Sequence, residues 1–385
     1  MLARTILAKV MNMQQIRLRV LAAVAASGVV AVVAIAADGS APVVPADPMA
    51  IPSEIMPLAS KSLVLDIARA GARAIAVGER GQILLSDDGN AWTQSVDVPL
   101  RSTLTAISTV GTHAWAVGHD GVILHSADAG DHWHIQRRDP WTRAVDGVEH
   151  DLRQGVPLLD VLFTDADNGI AIGAYSLLLT TRDGGKSWSG SRITVVGEAV
   201  ASAAKAAAGD IEIEGEESDT FSAEELKIGQ ESDPHLNGIA RTGSGGLIIV
   251  GERGAVFRSR DGGSNWERSQ LPYDGSMFGV IGYDADHVIA FGLRGHVFES
   301  NDLGSSWREV ATGTELSLMG GVALADGGVI IVGANGTVLR RIGQADALSK
   351  FTYNSAGVIA GVLPAAADGE LLVAGENGIS RYQPK

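Results

Sequence analysis

One phrase recurs along the chain, and it constrains the fold more than any other feature. Each copy has an apolar run ending in Gly, a second apolar run, and then an Asp, a Gly and a Trp. A unit that repeats at a fixed period buries its apolar surface by stacking on its neighbours, so the chain predicts a repeat architecture. Five full copies occupy residues 76–92, 116–133, 171–188, 249–266 and 290–307, and two weaker copies occupy 331–344 and 373–384.

The spacing of the copies gives the size of one unit. The Gly residues that end the first apolar run of each copy lie 40, 55, 78, 41, 41 and 42 residues apart, so two units carry insertions. Each unit holds four apolar runs of strand length, separated by Gly and Asp turns. In the fifth unit these runs are 278–285, 287–292, 296–300 and 306–311. Four short strands repeated seven times predict an all-β, seven-bladed β-propeller.

The two ends of the repeated region predict how the ring closes. The predicted propeller spans residues 58–385, and its last unit reaches only a third strand. Residues 50–60, just before the first unit, could supply the missing fourth strand, because such pairing removes an open sheet edge. The first strands should crowd around the axis, which suits small residues. Such residues are Gly279, Gly320, Gly321, Ala360 and Gly361.

The Asp, Gly and Trp of each full copy fall at the predicted hairpin between the third and fourth strands. The Asp carboxylate can accept hydrogen bonds from backbone N–H groups two and three residues on, and the Gly supplies a positive φ. The Trp begins the fourth strand and can bury a large surface against a neighbouring turn or blade. We interpret these residues as structural. They are Asp88 and Trp92, Asp128 and Trp133, Asp183 and Trp188, Asp261 and Trp266, and Asp302 and Trp307.

The signature resembles the Asp-box, or BNR repeat, of sialidases, some glucanases and sortilin-type receptors, over residues 60–385. The box occurs in proteins of unrelated activity, so it indicates the fold and not a function. The short Gly-x-x-Gly units and the seven-blade layout are most similar to the photosystem II stability/assembly-factor-like propellers. That resemblance implies a non-catalytic protein that helps to build membrane complexes. Relatives in non-photosynthetic bacteria often accompany membrane transporters.

The N-terminal residues indicate export. Basic residues up to Arg19 precede the apolar run 21–37, which contains a small-x-small pattern at 34–36. We expect residues 1–37 to be a signal peptide or, alternatively, a retained membrane anchor, since the run is about long enough to span a bilayer. In either case the propeller would lie in the periplasm, soluble or tethered to the inner membrane. Residues 38–57 are rich in Pro and Ala and are expected to form a linker.

Composition excludes several classes of function. The net charge of −15 is unfavourable for nucleic acid, whose phosphates need clusters of Lys and Arg. The chain has no Cys, so disulfides, zinc–thiolate sites and a Cys nucleophile are excluded. The His residues share no metal-ligand spacing. We therefore expect no cofactor, no metal site and a monomeric propeller.

The face opposite the boxes is the predicted binding face. Strands of a blade run alternately up and down, so turns between second and third strands share this face with the blade-to-blade connections. Arg80, Arg253 and Arg294 occupy the same turn position in three units. Arg pairs well with carboxylates and phosphates, and we predict that these residues bind a partner. The alternative is that a hairpin turn takes polar residues in general and Arg is one of them.

Two insertions fall in blade-to-blade connections and hence on the predicted binding face. The first, 137–157, could enlarge the basic surface and offers a Trp that either anchors a partner or folds onto the propeller. The second, 194–235, carries eleven acidic residues against two Lys between 198 and 233. We expect a solvated loop with one helical turn at 223–227, and calcium binding is the alternative. The first insertion contributes Arg137, Arg138, Trp141 and Arg143 to the predicted site.

Three functions are consistent with these features. We favour a non-catalytic scaffold or assembly factor for a membrane protein or membrane complex. The alternatives are a propeller that binds carbohydrate or another small ligand, and a glycoside hydrolase of the Asp-box class. A hydrolase needs two opposed carboxylates across a cleft, for which Asp160, Asp165 and Asp167 are the candidates.

Overall fold

A computed structural model describes residues 51–139, 155–193, 233–343, 347–353, 357–365 and 369–384. These residues form seven antiparallel sheets, and the prediction of a seven-bladed β-propeller is confirmed. The predicted signal peptide or anchor, most of the predicted linker and the centres of both insertions lie outside the described residues.

The strands follow the predicted order within each blade, from the innermost strand outwards. Blades one to three contain β1 Val64–Ala70, β2 Arg73–Gly78, β3 Ile83–Ser86, β4 Thr93–Gln94; β5 Leu104–Val110, β6 His113–Gly118, β7 Ile123–Ser126, β8 His134–Arg137; and β9 Leu158–Phe163, β10 Gly169–Gly173, β11 Leu177–Thr181, β12 Ser189–Arg192. Blades four to six contain β13 Leu236–Arg241, β14 Leu247–Gly251, β15 Ala255–Ser259, β16 Glu267–Gln270; β17 Met277–Gly282, β18 Val288–Gly292, β19 Val297–Ser300, β20 Arg308–Glu309; and β21 Leu318–Ala323, β22 Val329–Gly333, β23 Thr337–Arg341, β24 Ser349–Thr352. Blade seven contains β25 Ile359–Pro364, β26 Leu371–Gly375 and β27 Gly378–Tyr382.

The core lies between neighbouring blades. Each first strand contacts the first strands of the blades on either side, and this ring of seven strands surrounds the axis. The second strands are the most buried, and every residue of β14, β18 and β22 is buried. The predicted crowding at the axis is confirmed, because a Cβ added to Gly320 would lie 2.0 Å from the carbonyl oxygen of Ala360. Only residues without a large side chain fit at these contacts.

The predicted closing strand at residues 50–60 is wrong for the described residues 51–60. They contain no strand, and within the described ranges blade seven has three strands. The segment lies instead along blade one, where Ser53 N donates to Val98 O at 2.9 Å and Met56 N donates to Gln94 Oε1 at 2.9 Å. A 3₁₀ turn, Ala59–Lys61, then leads into β1. The ring closes by packing between blades one and seven, where Ile67 and Leu372 share one apolar cluster.

Candidate functional site

The propeller has two chemically different faces. On the box face, hairpins between third and fourth strands bond to turns between first and second strands, as when Leu303 N donates to Asp286 O at 3.0 Å. On the connection face, turns between second and third strands bond to blade-to-blade connections, as when Gly254 N donates to Gly275 O at 3.0 Å. This division is the one predicted from the sequence.

The boxes are hydrogen-bonded turns. In the fourth box, Ser259 Oγ donates to Asp261 Oδ1 at 2.8 Å and accepts from Gly263 N at 2.9 Å. Asp261 Oδ1 also accepts from Asn265 N at 2.9 Å, and Gly263 has φ +86° as predicted. Hydrogen bonds from the Asn265 backbone and side chain lower the pKa of Asp261 to about 2. The carboxylate is therefore fully engaged within its own turn.

The predicted reach of the box Asp needs a correction. In the shorter first box the carboxylate accepts from N–H groups two and three residues on, when Asn90 and Ala91 donate to Asp88. The N–H three residues on also bonds to the carboxylate in the fourth and fifth boxes. In the four full boxes it accepts from the N–H four residues on, as from His132 to Asp128 at 3.0 Å. The Ser or Thr hydroxyl accepts the Gly N–H in these boxes, so the carboxylate is available further along the turn.

The box Trp residues connect neighbouring blades, as predicted. Trp133 and Trp266 are buried, and Trp133 Nε1 donates to Gly130 O at 2.9 Å. Trp133 shares an apolar cluster with Ile75 and Leu85 of the preceding blade. Burial of this large aromatic surface between blades stabilises the ring. We therefore assign the box Trp residues a structural role.

The three predicted Arg residues have an unusual backbone on the connection face. Arg80, Arg253 and Arg294 have φ of +56°, +55° and +57°, and all three are exposed. Asp120 and Asn335 fill the same position in blades two and six, where left-handed backbone favours such short polar residues. Tyr175 fills it in blade three, so the left-handed conformation belongs to this turn in blades one to six and is not specific to Arg. An Arg at this position places an exposed side chain on the connection face.

The fold separates the three Arg residues into two groups. Arg253 and Arg294 stand on blades four and five, which are neighbours in the ring, whereas Arg80 stands on blade one. Arg80 lies beside the N-terminal segment, where its carbonyl oxygen accepts from Ser53 Oγ at 3.0 Å. The connection face therefore presents a pair of Arg and a third Arg across the ring, and not one compact basic cluster.

Aromatic and acidic side chains flank Arg294. Tyr273 Oη donates to Leu293 O at 3.3 Å, and the Tyr273 ring lies 4.1 Å from the His296 ring. His296 in turn pairs with Glu309 at 2.7 Å. Burial raises the pKa of Tyr273, and the charge of Arg294 acts in the opposite direction. This surface offers an Arg beside an aromatic ring, a combination common in protein recognition.

Arg137, which we predicted to bind a partner, also supports the first insertion. Its guanidinium donates to Gly121 O at 2.6 Å and to Asp139 Oδ1 at 2.7 Å. Asp139 Oδ2 accepts from Gly155 N at 3.1 Å, so both ends of the insertion meet at one carboxylate. Arg138 is described, and it has interactions of its own. Trp141 and Arg143 lie outside the described residues.

The described end of the second insertion lies on the connection face, as predicted. Pro234 O accepts from Ser176 N at 2.9 Å, at the turn between second and third strands of blade three. The ring of His235 lies 5.0 Å from that of Tyr175 in the same turn. The expected helical turn at 223–227 and the alternative of a calcium site lie outside the described residues.

Two half-buried carboxylates near the axis were not predicted as a pair. Asp66 Oδ2 accepts from Ile107 N of blade two at 2.9 Å, and Asp160 Oδ2 accepts from Ile239 N of blade four at 2.8 Å. Each thus joins two first strands. Burial raises the pKa of Asp66 to about 6, and burial together with the charge of Asp66 raises that of Asp160 to about 7. Asp160, a candidate hydrolase carboxylate, is therefore bound to backbone.

An ion pair in blade six occupies the place of a box. Arg341 stands where the boxed blades have Ser or Thr, eight residues after the Gly that ends the second strand. Its Nη1 donates to Glu299 Oε1 of blade five at 2.7 Å, and the two side chains are only 3% and 8% exposed. Tyr283 Oη also donates to Glu299, while Arg308 Nη2 lies 2.6 Å from its other oxygen. The sequence signal for this pair was the Arg in the Ser position.

Three His rings form a row across blade two. His113 Nδ1 lies 3.0 Å from His125 Nε2, and His125 Nδ1 lies 3.3 Å from His134 Nε2. The central ring uses different nitrogens towards its two neighbours, so the three cannot converge on one ion. Burial, followed by the charge of His134, lowers the pKa of His125 to about 4. In the part of the chain that the structure describes, no group of three or more His, Cys, Asp or Glu residues is arranged for a metal.

The other hydrolase candidates are turn residues. Asp165 accepts from the backbone N–H groups of Asp167 and Asn168 at 2.9 and 2.8 Å, while Asp160 lies in the first strand of its blade. Across the described ranges, no helix has the length and apolar character needed to cross a membrane.

Five boxes in phase on seven radially packed sheets define the class of this protein, a BNR-type β-propeller. Its sequence matches the model of the family described as photosynthesis system II assembly factor YCF48 over residues 48–141. That match covers about a quarter of the chain, so it is a similarity over those residues. No curated protein matches its sequence.

Solved structures show the same architecture. A structure of YCF48 bound to D1 peptide has a TM-score of 0.57 and 15% identity, and covers 89% of this chain and 100% of that chain. YCF48 from Cyanidioschyzon merolae has a TM-score of 0.58 and 16% identity, with coverage of 86% and 98%. The WD40 propeller of Doa1 has a TM-score of 0.58 and 11% identity, with coverage of 86% and 95%. At these identities the likeness shows the fold.

Proposed function

We propose that the protein is a non-catalytic, exported scaffold or assembly factor that binds a segment of a membrane protein through its connection face. The observation that carries the proposal is the left-handed backbone at Arg80, Arg253 and Arg294, which displays three exposed Arg side chains. An Arg guanidinium binds carboxylates in a bidentate manner, so an extended segment with acidic side chains or a free C-terminus fits this face.

The relation to an assembly-factor family supports the same proposal. One structure of similar fold, that of YCF48, holds a D1 peptide. A peptide partner needs a broad face and not a deep pocket, and the connection face of a propeller offers such a surface. A role beside a membrane transporter is part of the proposal, as is a periplasmic location.

The proposal is tested by recovering partners from solubilised membranes with the tagged full-length protein. We expect a membrane protein to co-purify with the wild type and to be lost with Arg80→Glu/Arg253→Glu/Arg294→Glu. Wild-type recovery by this variant would overturn the assignment of the connection face. Turnover of glycosides by the purified protein, abolished by changing a single carboxylate, would overturn the non-catalytic role.

A further inference from the structure

Blade seven has an edge that the other six blades do not have in the part of the chain that the structure describes. In blades one to six a fourth strand pairs with the third strand, whereas the sheet of blade seven ends at β27. The inner side of β27 pairs with β26 from Leu371↔Tyr382 to Gly375↔Gly378. Its outer side therefore presents backbone N–H and C=O groups in strand geometry, which is a template for another strand.

The side chains of β27 are held by the neighbouring blades. Arg381 pairs with Glu370 of its own blade at 3.2 Å and donates to Asp88 O of blade one at 3.1 Å. Tyr382 Oη donates to Thr352 O of blade six at 3.3 Å. These contacts fix β27 in place before any fourth strand arrives, so its edge is pre-organised for pairing.

The nearby N-terminal segment is engaged elsewhere. Glu54 O accepts from Gln94 Nε2 at 2.8 Å, which holds the segment against blade one. Its 3₁₀ turn, Ala59–Lys61, contacts the start of β27, where a Cβ added to Gly378 would lie 2.0 Å from Ser60 O, and Ala59 shares an apolar cluster with Ile379. Immediately upstream, Pro residues at 42, 45, 48 and 52 interrupt the sequence. A run with Pro at every third or fourth position lacks the N–H groups that a regular ladder requires.

We propose that the open edge of blade seven binds an extended segment of a partner protein, which adds to the sheet as its fourth strand. This inference rests on the proposed function in one respect, namely that the partner is a protein. The fourth strands of the other blades show the chemistry that fits. They are two to four residues long and mostly polar, for example Glu267–Gln270, and Ser349–Thr352 contains one apolar residue, Phe351. The partner segment is thus short, largely polar and free of Pro. Leu58, 68% exposed beside the start of the edge, offers one apolar contact.

The direct test is amide hydrogen exchange on the full chain with a synthetic peptide as the probe. The peptide has the sequence of residues 265–271, NWERSQL, and contains the fourth strand of blade four. We expect amides of β27 to exchange at least about tenfold faster than those of the equivalent strand β15 in the protein alone, and to slow at least about fivefold with the peptide. A matched control peptide has Pro at the positions of Arg268 and Gln270. We expect this control peptide to leave the exchange of β27 unchanged.

Two results overturn the proposal. If the amides of β27 are as protected as those of β15 in the protein alone, another segment already covers the edge. Sedimentation then shows whether that segment belongs to a second copy of the chain, which gives a dimer, or to the same chain, which gives a monomer. If the peptide leaves the exchange of β27 unchanged, the edge does not accept a strand.

A blocked variant separates this proposal from the proposed function. The hairpin sequence of residues 259–270 is appended after Tyr382, so that blade seven gains its own fourth strand. The control carries the same hairpin with Pro at the positions copied from Glu267 and Ser269. We expect the blocked variant to lose at least about tenfold in recovery of the membrane partner and the control to retain it. If the blocked variant binds normally while Arg80→Glu/Arg253→Glu/Arg294→Glu does not, the edge proposal fails and the proposed function stands.

Discussion

The buried pair Glu299–Arg341 gives the sharpest prediction about stability, because Glu299 keeps other hydrogen-bonding partners when Arg341 is removed, whereas Arg341 loses its carboxylate partner when Glu299 is removed. Removal of Arg341 leaves Glu299 with Arg308 at 2.6 Å and with the Tyr283 hydroxyl. Removal of Glu299 leaves the Arg341 guanidinium buried, with the Tyr283 ring 5.1 Å away. We therefore expect Glu299→Met to lower the free energy of unfolding by about 3–5 kcal/mol and Arg341→Met by about 1.5–3 kcal/mol.

The pKa values agree with this asymmetry. Burial opposes ionisation of Glu299, but hydrogen bonds from Tyr283 and Arg341 and the nearby positive charge leave its pKa below the ordinary value. Burial and the hydrogen bond to Glu299 raise the pKa of Tyr283 to about 12. The carboxylate is thus the centre of the network, and its loss affects every other member.

Equilibrium unfolding in urea, followed by Trp fluorescence, measures both costs and their coupling in a double-mutant cycle. We expect Glu299→Met/Arg341→Met to be more stable than Glu299→Met alone, because two Met side chains can pack where a lone buried charge cannot. The matched control is Arg260→Met, which breaks the exposed pair with Asp286 and should cost less than about 1 kcal/mol. If Arg341→Met costs more than Glu299→Met, or if the two costs simply add, the reasoning is refuted.

Two further predictions concern the boxes and the axis. Ser259→Ala leaves the Gly263 N–H without its acceptor and should lower the free energy of unfolding by about 1–3 kcal/mol. The control Ser264→Ala changes an exposed residue of the same turn and should be nearly neutral. Equal losses for the two variants in urea unfolding would contradict the box assignment. The raised pKa values of Asp66 and Asp160, about 6 and about 7 against 3.8 in the unfolded chain, mean that the folded state binds more protons between about pH 4 and 7. Their contribution to stability is full below pH 4 and is lost as pH rises through 6 and 7. Asp160→Asn should flatten this part of the pH profile of the free energy of unfolding, and an unchanged slope would contradict the burial of this carboxylate.

The repeat allowed the fold to be predicted because its signals are local. A Gly such as Gly263 sits within four residues of the Ser and Asp that it serves, so one box can be recognised from a short stretch of sequence. Once the boxes were in phase, the up-and-down order of strands fixed which turns share a face. The connection face and the position of Arg253 followed from that order alone.

The features that the sequence did not predict join distant positions. Asp160 bonds to Ile239, 79 residues away, and Arg341 bonds to Glu299, 42 residues away. Residues 50–60 had the correct offset for a fourth strand, but pairing to Val98 and Gln94 competes with that placement. Arg137 looked like an available cation because its partner, Asp139, is an ordinary acidic residue in the sequence. Such contacts depend on the packing of whole blades and not on local pattern.

The central claim, that a partner binds the connection face through its displayed Arg residues, is tested most directly by comparing two charge-matched variants. Arg80→Glu/Arg253→Glu/Arg294→Glu changes the connection face, and Arg182→Glu/Lys186→Glu/Arg241→Glu changes the box face by the same charge. The measurement is the Kd with which each variant binds a purified segment of the membrane protein that co-purifies with the wild type, at a fixed salt concentration. We predict that the first variant binds at least about tenfold more weakly than the wild type while the second binds as the wild type does. Equal affinity of the two variants would contradict the account.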